Sequence, residues 1–165
     1  MRTFFILIAV FLASTVAHWA FVTAGAGFNI SVNFMLVAAA AVCSFYDRWA
    51  GFTFMFFCGI FLDFFGVNMF GAYAFTFMLC GAAVYIVKDS LDFESPVPQT
   101  VLVFCLSLGN VLVYNLTGVI FLKGTAWHGF QSLILGAVVN ALLAPFVFYI
   151  VKTLSRLRAE NKFNG

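Results

Sequence analysis

Charged side chains are scarce in this sequence. Only 8% of its 165 residues are Asp, Glu, Lys or Arg, whereas 64% are hydrophobic. A soluble domain normally carries about 25% charged residues, so the charge available here is too small to cover a surface in water. The high apolar content also excludes an intrinsically disordered chain, and the length leaves no room for a large catalytic domain beside several membrane helices.

Sequence patterns for several kinds of chemistry are missing as well. The eight Lys and Arg residues are scattered, without the basic stripe that nucleic-acid binding requires. Glycine-rich phosphate loops, HExxH and serine-hydrolase constellations do not occur. The four cysteines form no CxxC pair and lie in apolar runs, so we expect small buried hydrophobic residues and no metal site. They are Cys43, Cys58, Cys80 and Cys105. We therefore expect a protein that is not an enzyme and has no cofactor.

Long apolar runs dominate what is present. Six of them can be separated at charged and turn residues, and each is close to the roughly 20 residues that a membrane helix needs. They cover residues 3–22, 30–46, 50–67, 69–87, 100–122 and 130–151. The pattern predicts an all-α membrane protein that forms a single domain, a compact bundle of six transmembrane helices. Residues 152–165 then form a basic cytoplasmic tail.

The distribution of Lys and Arg predicts the orientation of the chain. With the N-terminus in the cytoplasm, seven of the eight lie inside and only Lys123 lies outside, as the positive-inside rule requires. Both termini are therefore expected in the cytoplasm. The first apolar run could instead be a cleaved signal peptide, but it continues to Val22 and is longer than a typical signal core of about 7–15 residues. We favour a retained helix.

Asp63 is the one ionisable acid or base well inside a predicted span. Such a residue costs about 2.5–3.5 kcal/mol on insertion scales and normally faces the bundle interior, where it has a partner. Asn33 lies at a similar depth near the outer surface and is the best candidate partner. Asp63 could serve as a proton or ligand site, or it could tie helices together. We favour the structural tie, because no second buried carboxylate is available to relay a proton. Asn110 and Asn140 add polar groups to the fifth and sixth spans.

Small residues recur at helical spacing on the first span. Ala9, Ala13 and Ala17 form an AxxxAxxxA pattern. Small side chains let two helix backbones approach closely within a membrane. We expect most such faces to pack inside the bundle, but this one is the best candidate to receive the helix of a partner protein.

Short motifs in the third, fourth and sixth spans give the sequence a family resemblance. A GF pair is followed by GxxxD, then by a glycine that opens the next helix, and later by an Asn-to-Pro stretch. The motif residues are Gly51, Gly59, Asp63, Gly71, Asn140 and Pro145. In these motifs, in their order and in total length, the sequence resembles the MreD family of bacterial rod shape-determining membrane proteins.

The resemblance implies a non-catalytic subunit of the cell-elongation machinery in the bacterial cytoplasmic (inner) membrane. Proteins of this family associate with MreC, which has a single membrane helix and a periplasmic coiled coil. Through MreC they join the MreB filament, the RodA glycosyltransferase and a class B penicillin-binding protein. The implied role is scaffolding or regulation of lateral-wall peptidoglycan synthesis. Membrane lipid is a further expected partner, and nucleic acid is not.

Two alternatives belong to other functional classes. The family is similar in fold to the substrate-binding subunits of energy-coupling-factor vitamin transporters, in which an AxxxA face on the first helix contacts the coupling subunit. The outer connections here are short, whereas a vitamin pocket would need longer lids and more convergent polar groups. A proton-coupled channel or transporter is the third possibility, and the missing relay partner for Asp63 weakens it.

Overall fold

The computed structural model describes residues 2–25, 32–66, 69–122 and 130–163. Within these ranges the chain forms six α-helices and no β-strand. The helices are α1 (Arg2–Gly25), α2 (Phe34–Phe45), α3 (Arg48–Phe65), α4 (Ala72–Val87), α5 (Pro96–Leu122) and α6 (Phe130–Phe163). The prediction of an all-helical chain with six helices is confirmed.

The six helices differ in their ability to cross a membrane. Among the described residues, α1, α3, α5 and α6 are long and apolar enough to do so. With 12 and 16 residues, α2 and α4 are shorter than the predicted spans 30–46 and 69–87. The cause is local: the Asn33 side chain caps α2, and Gly71 has a left-handed φ of 95° that breaks the helix before Ala72.

The last two helices extend beyond their predicted bounds. Pro96 begins α5 four residues before the predicted start, because proline is well tolerated in the first turn of a helix. Pro145 lies inside α6 without ending it. The predicted tail, residues 152–165, is an extension of α6 as far as Phe163.

The shortest helix lies at the centre of the bundle. Residues 35–44 of α2 are all buried, and α2 contacts each of the other five helices. Four consecutive alanines, residues 38–41, keep this central rod thin, so the surrounding helices can approach it from every side. A helix that is hydrophobic all round is expected in such a position.

In contrast, α1 lies at the edge of the bundle. Val10 and Ser14 are buried against the core, and Phe11 packs edge-to-face on Phe61 of α3 at 5.5 Å between ring centroids. The opposite side of α1 is exposed along its length. Its free side is therefore available to lipid or to another protein.

Basic side chains from different parts of the chain lie at one end of the bundle. Lys88, just after α4, donates to the carbonyl oxygens of Cys43 and Tyr46 at the end of α2, at 3.1 Å each. Burial lowers the pKa of Lys88, although nearby acidic groups oppose this effect. Close by in sequence, Glu94 pairs with Lys152 of α6 at 3.1 Å. We call this the charged end, and it corresponds to the predicted cytoplasmic side.

Candidate functional site

Asp63 caps a helix other than its own. Its carboxylate accepts the backbone N–H groups of Tyr73 at 2.9 Å and Ala74 at 3.0 Å. These are the second and third residues of α4, whose N–H groups an N-cap side chain would normally bind. The residue in the N-cap position is Gly71, which has no side chain to do so. Asp63, on α3, supplies the missing acceptor.

Gly59 allows α4 to approach closely enough for this contact. A Cβ atom at Gly59 would overlap the Cα atom of Ala74 and lie 2.8 Å from its backbone nitrogen. Gly59 stands one helical turn before Asp63, so both face the first turn of α4. We call Gly59, Asp63 and Gly71 the α3–α4 lock. The GxxxD motif and the glycine that follows it thus belong to one structural unit.

The environment of Asp63 favours a structural role. Asp63 is 5% exposed, and its carboxyl oxygens lie at the positive end of the α4 dipole and accept two N–H groups. The expected partner was Asn33, but Asn33 forms other bonds. Its side chain accepts the N–H of Leu36 within α2, and its own N–H donates to Asn140 of α6. Asn33 and Asp63 were expected to pair because they lie at a similar depth. They contact different helices, however, and do not bond to each other.

A second polar group ties three helices together. The Oδ1 atom of Asn140 accepts the Asn33 N–H at 3.0 Å, and its Nδ2 donates to the Ser107 hydroxyl of α5 at 3.1 Å. Both Asn140 and Ser107 are buried. The Asn140 side chain thus joins α6 to the start of α2 and to α5.

Asn110 lies one turn from Ser107 on the same side of α5. It is 4% exposed, and its Oδ1 atom is buried without a hydrogen-bond partner. The predicted buried polar residues therefore separate into two groups. Asp63, Asn33 and Asn140 hold helix ends in place, whereas the Asn110 acceptor stabilises no contact within the described chain.

Sequence reasoning missed the contact that extends the α3–α4 lock towards α5. Tyr73, whose N–H binds Asp63, stacks on Tyr114 of α5 with 4.3 Å between ring centroids. Tyr114 belongs to the same helix as Ser107 and Asn110. A tyrosine side chain combines an apolar ring with a polar hydroxyl. The sequence shows only that Tyr73 and Tyr114 lie in successive predicted spans. It does not show that their two rings contact each other.

The remaining motif glycine also marks a close approach. A Cβ atom at Gly51 would overlap the hydroxyl of Tyr85 and lie 3.0 Å from the Cys43 sulfur. The Tyr85 hydroxyl donates to the carbonyl of Asp47 at 3.2 Å. Gly51 therefore lets α4 pack against the start of α3 near the charged end. Cys43, Cys58 and Cys80 are buried as expected, while Cys105 is exposed.

The alanine face of α1 is open. Ala9 and Ala13 are exposed, and Ala17 is partly buried. The residues that pack α1 on the bundle, including Val10 and Ser14, lie on another side of the helix. Within the described chain, no other helix covers Ala9 or Ala13. The face is therefore accessible to the helix of another protein.

Comparison of the chain with protein-family models, curated proteins and solved structures finds no significant match. Among the residues that the structure describes, no three His, Cys, Asp or Glu side chains lie close enough to hold a metal ion. The site is thus defined by its own geometry: the α3–α4 lock, a polar tie at the start of α2, and an open alanine face on α1.

Proposed function

We propose that this chain is a non-catalytic integral membrane subunit of the bacterial cell-elongation complex. It resides in the cytoplasmic membrane, binds an MreC-like protein, and scaffolds or regulates lateral-wall peptidoglycan synthesis. MreB, RodA and a class B penicillin-binding protein are then its indirect partners.

One observation carries the proposal: the motif residues behind the family resemblance act together in the fold. Gly59, Asp63 and Gly71 build the α3–α4 lock, and Asn140 builds the polar tie. Each has a physical role in holding helices at fixed positions. Rigid placement of helices is what a scaffold subunit needs, because its partner must find a constant surface.

The open face of α1 is the proposed site for the single membrane helix of MreC. Ala9 and Ala13 are exposed there, and small side chains allow the close backbone contact by which membrane helices associate. The neighbouring exposed residues on α1 are large and apolar, among them Leu12 at 58% and Val16 at 71%. A helix seated over the alanines would pack between these side chains.

Co-purification of the full chain with an MreC-like coiled-coil membrane protein tests this proposal. Replacement of Ala13 by Leu adds bulk to the contact, so we expect the amount of partner recovered to fall several-fold. The matched control is Ala83→Leu, a similar exposed alanine on α4, which should leave recovery unchanged. Equal recovery with Ala13→Leu and the natural chain would place the contact on another face.

The same open face suits the alternative of an energy-coupling-factor transporter subunit, whose first helix contacts its coupling subunit. Mass spectrometry of the purified chain separates the two functions. A vitamin bound at one molecule per chain would favour the transporter subunit. Recovery of the coiled-coil partner without a bound vitamin would favour the elongation complex.

A further inference from the structure

The turn between α3 and α4 is unusually apolar for a connection between two membrane helices. In the sequence from Gly66 to Gly71, Asn68 is the only polar side chain. Large aromatic side chains on both sides of the turn are exposed: Phe64 at 71%, Phe65 at 58% and Phe70 at 62%. We call these three residues the hairpin tip. Side chains of this kind are costly to expose to water.

The two helices that carry the hairpin tip are short. With 18 residues, α3 is about 27 Å long, and with 16 residues α4 is about 24 Å long. The hydrocarbon core of a bilayer is about 30 Å thick. Arg48 at the start of α3 and Lys88 just after α4 fix their other ends at the charged end. Counted from the charged end, α3 therefore ends about 3 Å and α4 begins about 6 Å inside the far boundary of the hydrocarbon.

Neighbouring helices continue past the hairpin tip. Trp19 of α1 packs on Phe65 at 5.3 Å between ring centroids, and α1 continues for six further residues to Gly25. Tyr114 of α5 stacks on Tyr73, close to the tip, and α5 continues for eight further residues to its end. At 1.5 Å per residue these extensions are about 9 and 12 Å. Phe65 therefore lies roughly two helical turns below the end of α1, and Tyr73 lies roughly two turns below the end of α5.

We infer that the hairpin tip ends inside the hydrocarbon of the outer leaflet, where lipid acyl chains cover Phe64, Phe65 and Phe70. Exposed apolar side chains such as Phe57 and Leu79 lie lower on the same two helices, so the lipid-facing surface of α3 and α4 includes the tip side chains. Membrane helices associate with each other through small residues and polar groups. The hairpin tip has neither, so lipid is the expected contact.

This inference requires the chain to span a membrane, and it does not depend on MreC binding. The test is a nitroxide label on the Phe70→Cys variant, reconstituted in phosphatidylcholine vesicles. The parent chain carries Cys105→Ala, because Cys105 is the one exposed native cysteine among the described residues. Collision of the label with oxygen, which concentrates in hydrocarbon, is compared with collision with a water-soluble nickel chelate.

Two matched controls set the scale of the measurement. Leu79→Cys places the label on the lipid-facing side within α4, and Thr23→Cys places it near the end of α1, beyond Trp19. For Phe70→Cys we expect a several-fold excess of oxygen over nickel accessibility, as at position 79. Nickel accessibility equal to that at position 23 would show that the tip lies in water.

Low accessibility to both reagents would also overturn the inference, because it would mean that protein, such as a second copy of this chain, covers the tip. Each variant is first compared with its parent by size-exclusion chromatography. If Phe70→Cys does not elute like its parent, Phe64→Cys, whose side chain is exposed on the other side of the turn, takes its place with the same expected result.

Discussion

At the residue scale, the buried polar groups differ in how completely they are satisfied. Asp63 accepts two backbone N–H groups, and Asn140 uses both its oxygen and its nitrogen. The Asn110 oxygen is buried without a partner. A polar group in a low-dielectric interior stabilises a structure only when its partners are in place. The three residues should therefore respond differently to substitution.

Replacement of Asp63 by Ala should destabilise the bundle by about 1–3 kcal/mol, because the N–H groups of Tyr73 and Ala74 lose their acceptor. Asp63→Asn retains one acceptor oxygen and should lose less. Unfolding in mixed micelles by titration with dodecyl sulfate measures both. If Asp63→Ala were as stable as the natural chain and still bound MreC, the structural role would be wrong.

The pair Asn140→Leu and Asn110→Leu compares an amide whose oxygen and nitrogen both have partners with one whose oxygen has none. Loss of Asn140 leaves the Asn33 N–H and the Ser107 hydroxyl without their partner, so we expect a loss of about 1–3 kcal/mol. Asn110→Leu removes a buried acceptor that has no donor, and stability should stay unchanged or rise. The same unfolding assay compares them. A larger loss for Asn110→Leu would contradict the assigned hydrogen bonds.

At the element scale, the glycines of α3 and α5 should differ in their tolerance of a methyl group. Gly59→Ala would force α4 away from α3, since the new Cβ overlaps Ala74, and overpacking of this kind typically costs about 1–3 kcal/mol. At Gly109 of α5, a methyl group would meet no atom within 4 Å apart from its chain neighbours and the nearby backbone of α5 itself. Gly109→Ala should therefore gain up to about 1 kcal/mol from reduced backbone entropy. Thermal unfolding in detergent measures both, and equal effects would refute the close contact.

The sequence predicts the number of helices well and their ends less well. Six apolar runs give six helices, because hydrophobicity and length are imposed by the bilayer. The true ends depend on local chemistry: the left-handed Gly71 and the cap at Asn33 shorten α4 and α2. The sequence could not predict the partner of Asp63, because Asp63 binds backbone N–H groups, which every residue except proline has. Depth in the membrane suggested Asn33 as the partner, but depth does not show which helices are neighbours, and Asp63 in fact bonds to α4.

At the scale of the whole molecule, the clustering of cations predicts its orientation. Lys88, just after α4, and Lys152 of α6 both lie at the charged end. The positive-inside rule predicts that this end lies in the cytoplasm. A green fluorescent protein fused after residue 165 should therefore fluoresce, and alkaline phosphatase fused there should be inactive. The opposite pair of results would reverse the orientation.

The ion pairs at the charged end should add little to stability. Glu94 pairs with Lys152 and also with Arg156 at 3.4 Å, but the Glu94 side chain is 70% exposed, and exposed pairs are weak and screened by salt. Glu94→Gln should accordingly change the free energy of unfolding far less than Asp63→Ala. The comparison is made at low and high salt, and a loss equal to that of Asp63→Ala would contradict this ranking.

The central position of α2 has a consequence for the order of assembly. Residues 35–44 are buried and α2 contacts all five other described helices, yet α2 precedes α3 to α6 in the chain and is synthesised before α6, which packs against it. The innermost part of the bundle is therefore made early and enclosed late. Until synthesis of α6 is complete, this 12-residue helix lacks part of its protein surroundings, so chains stopped short of α6 present an uncovered centre to insertion factors and membrane proteases.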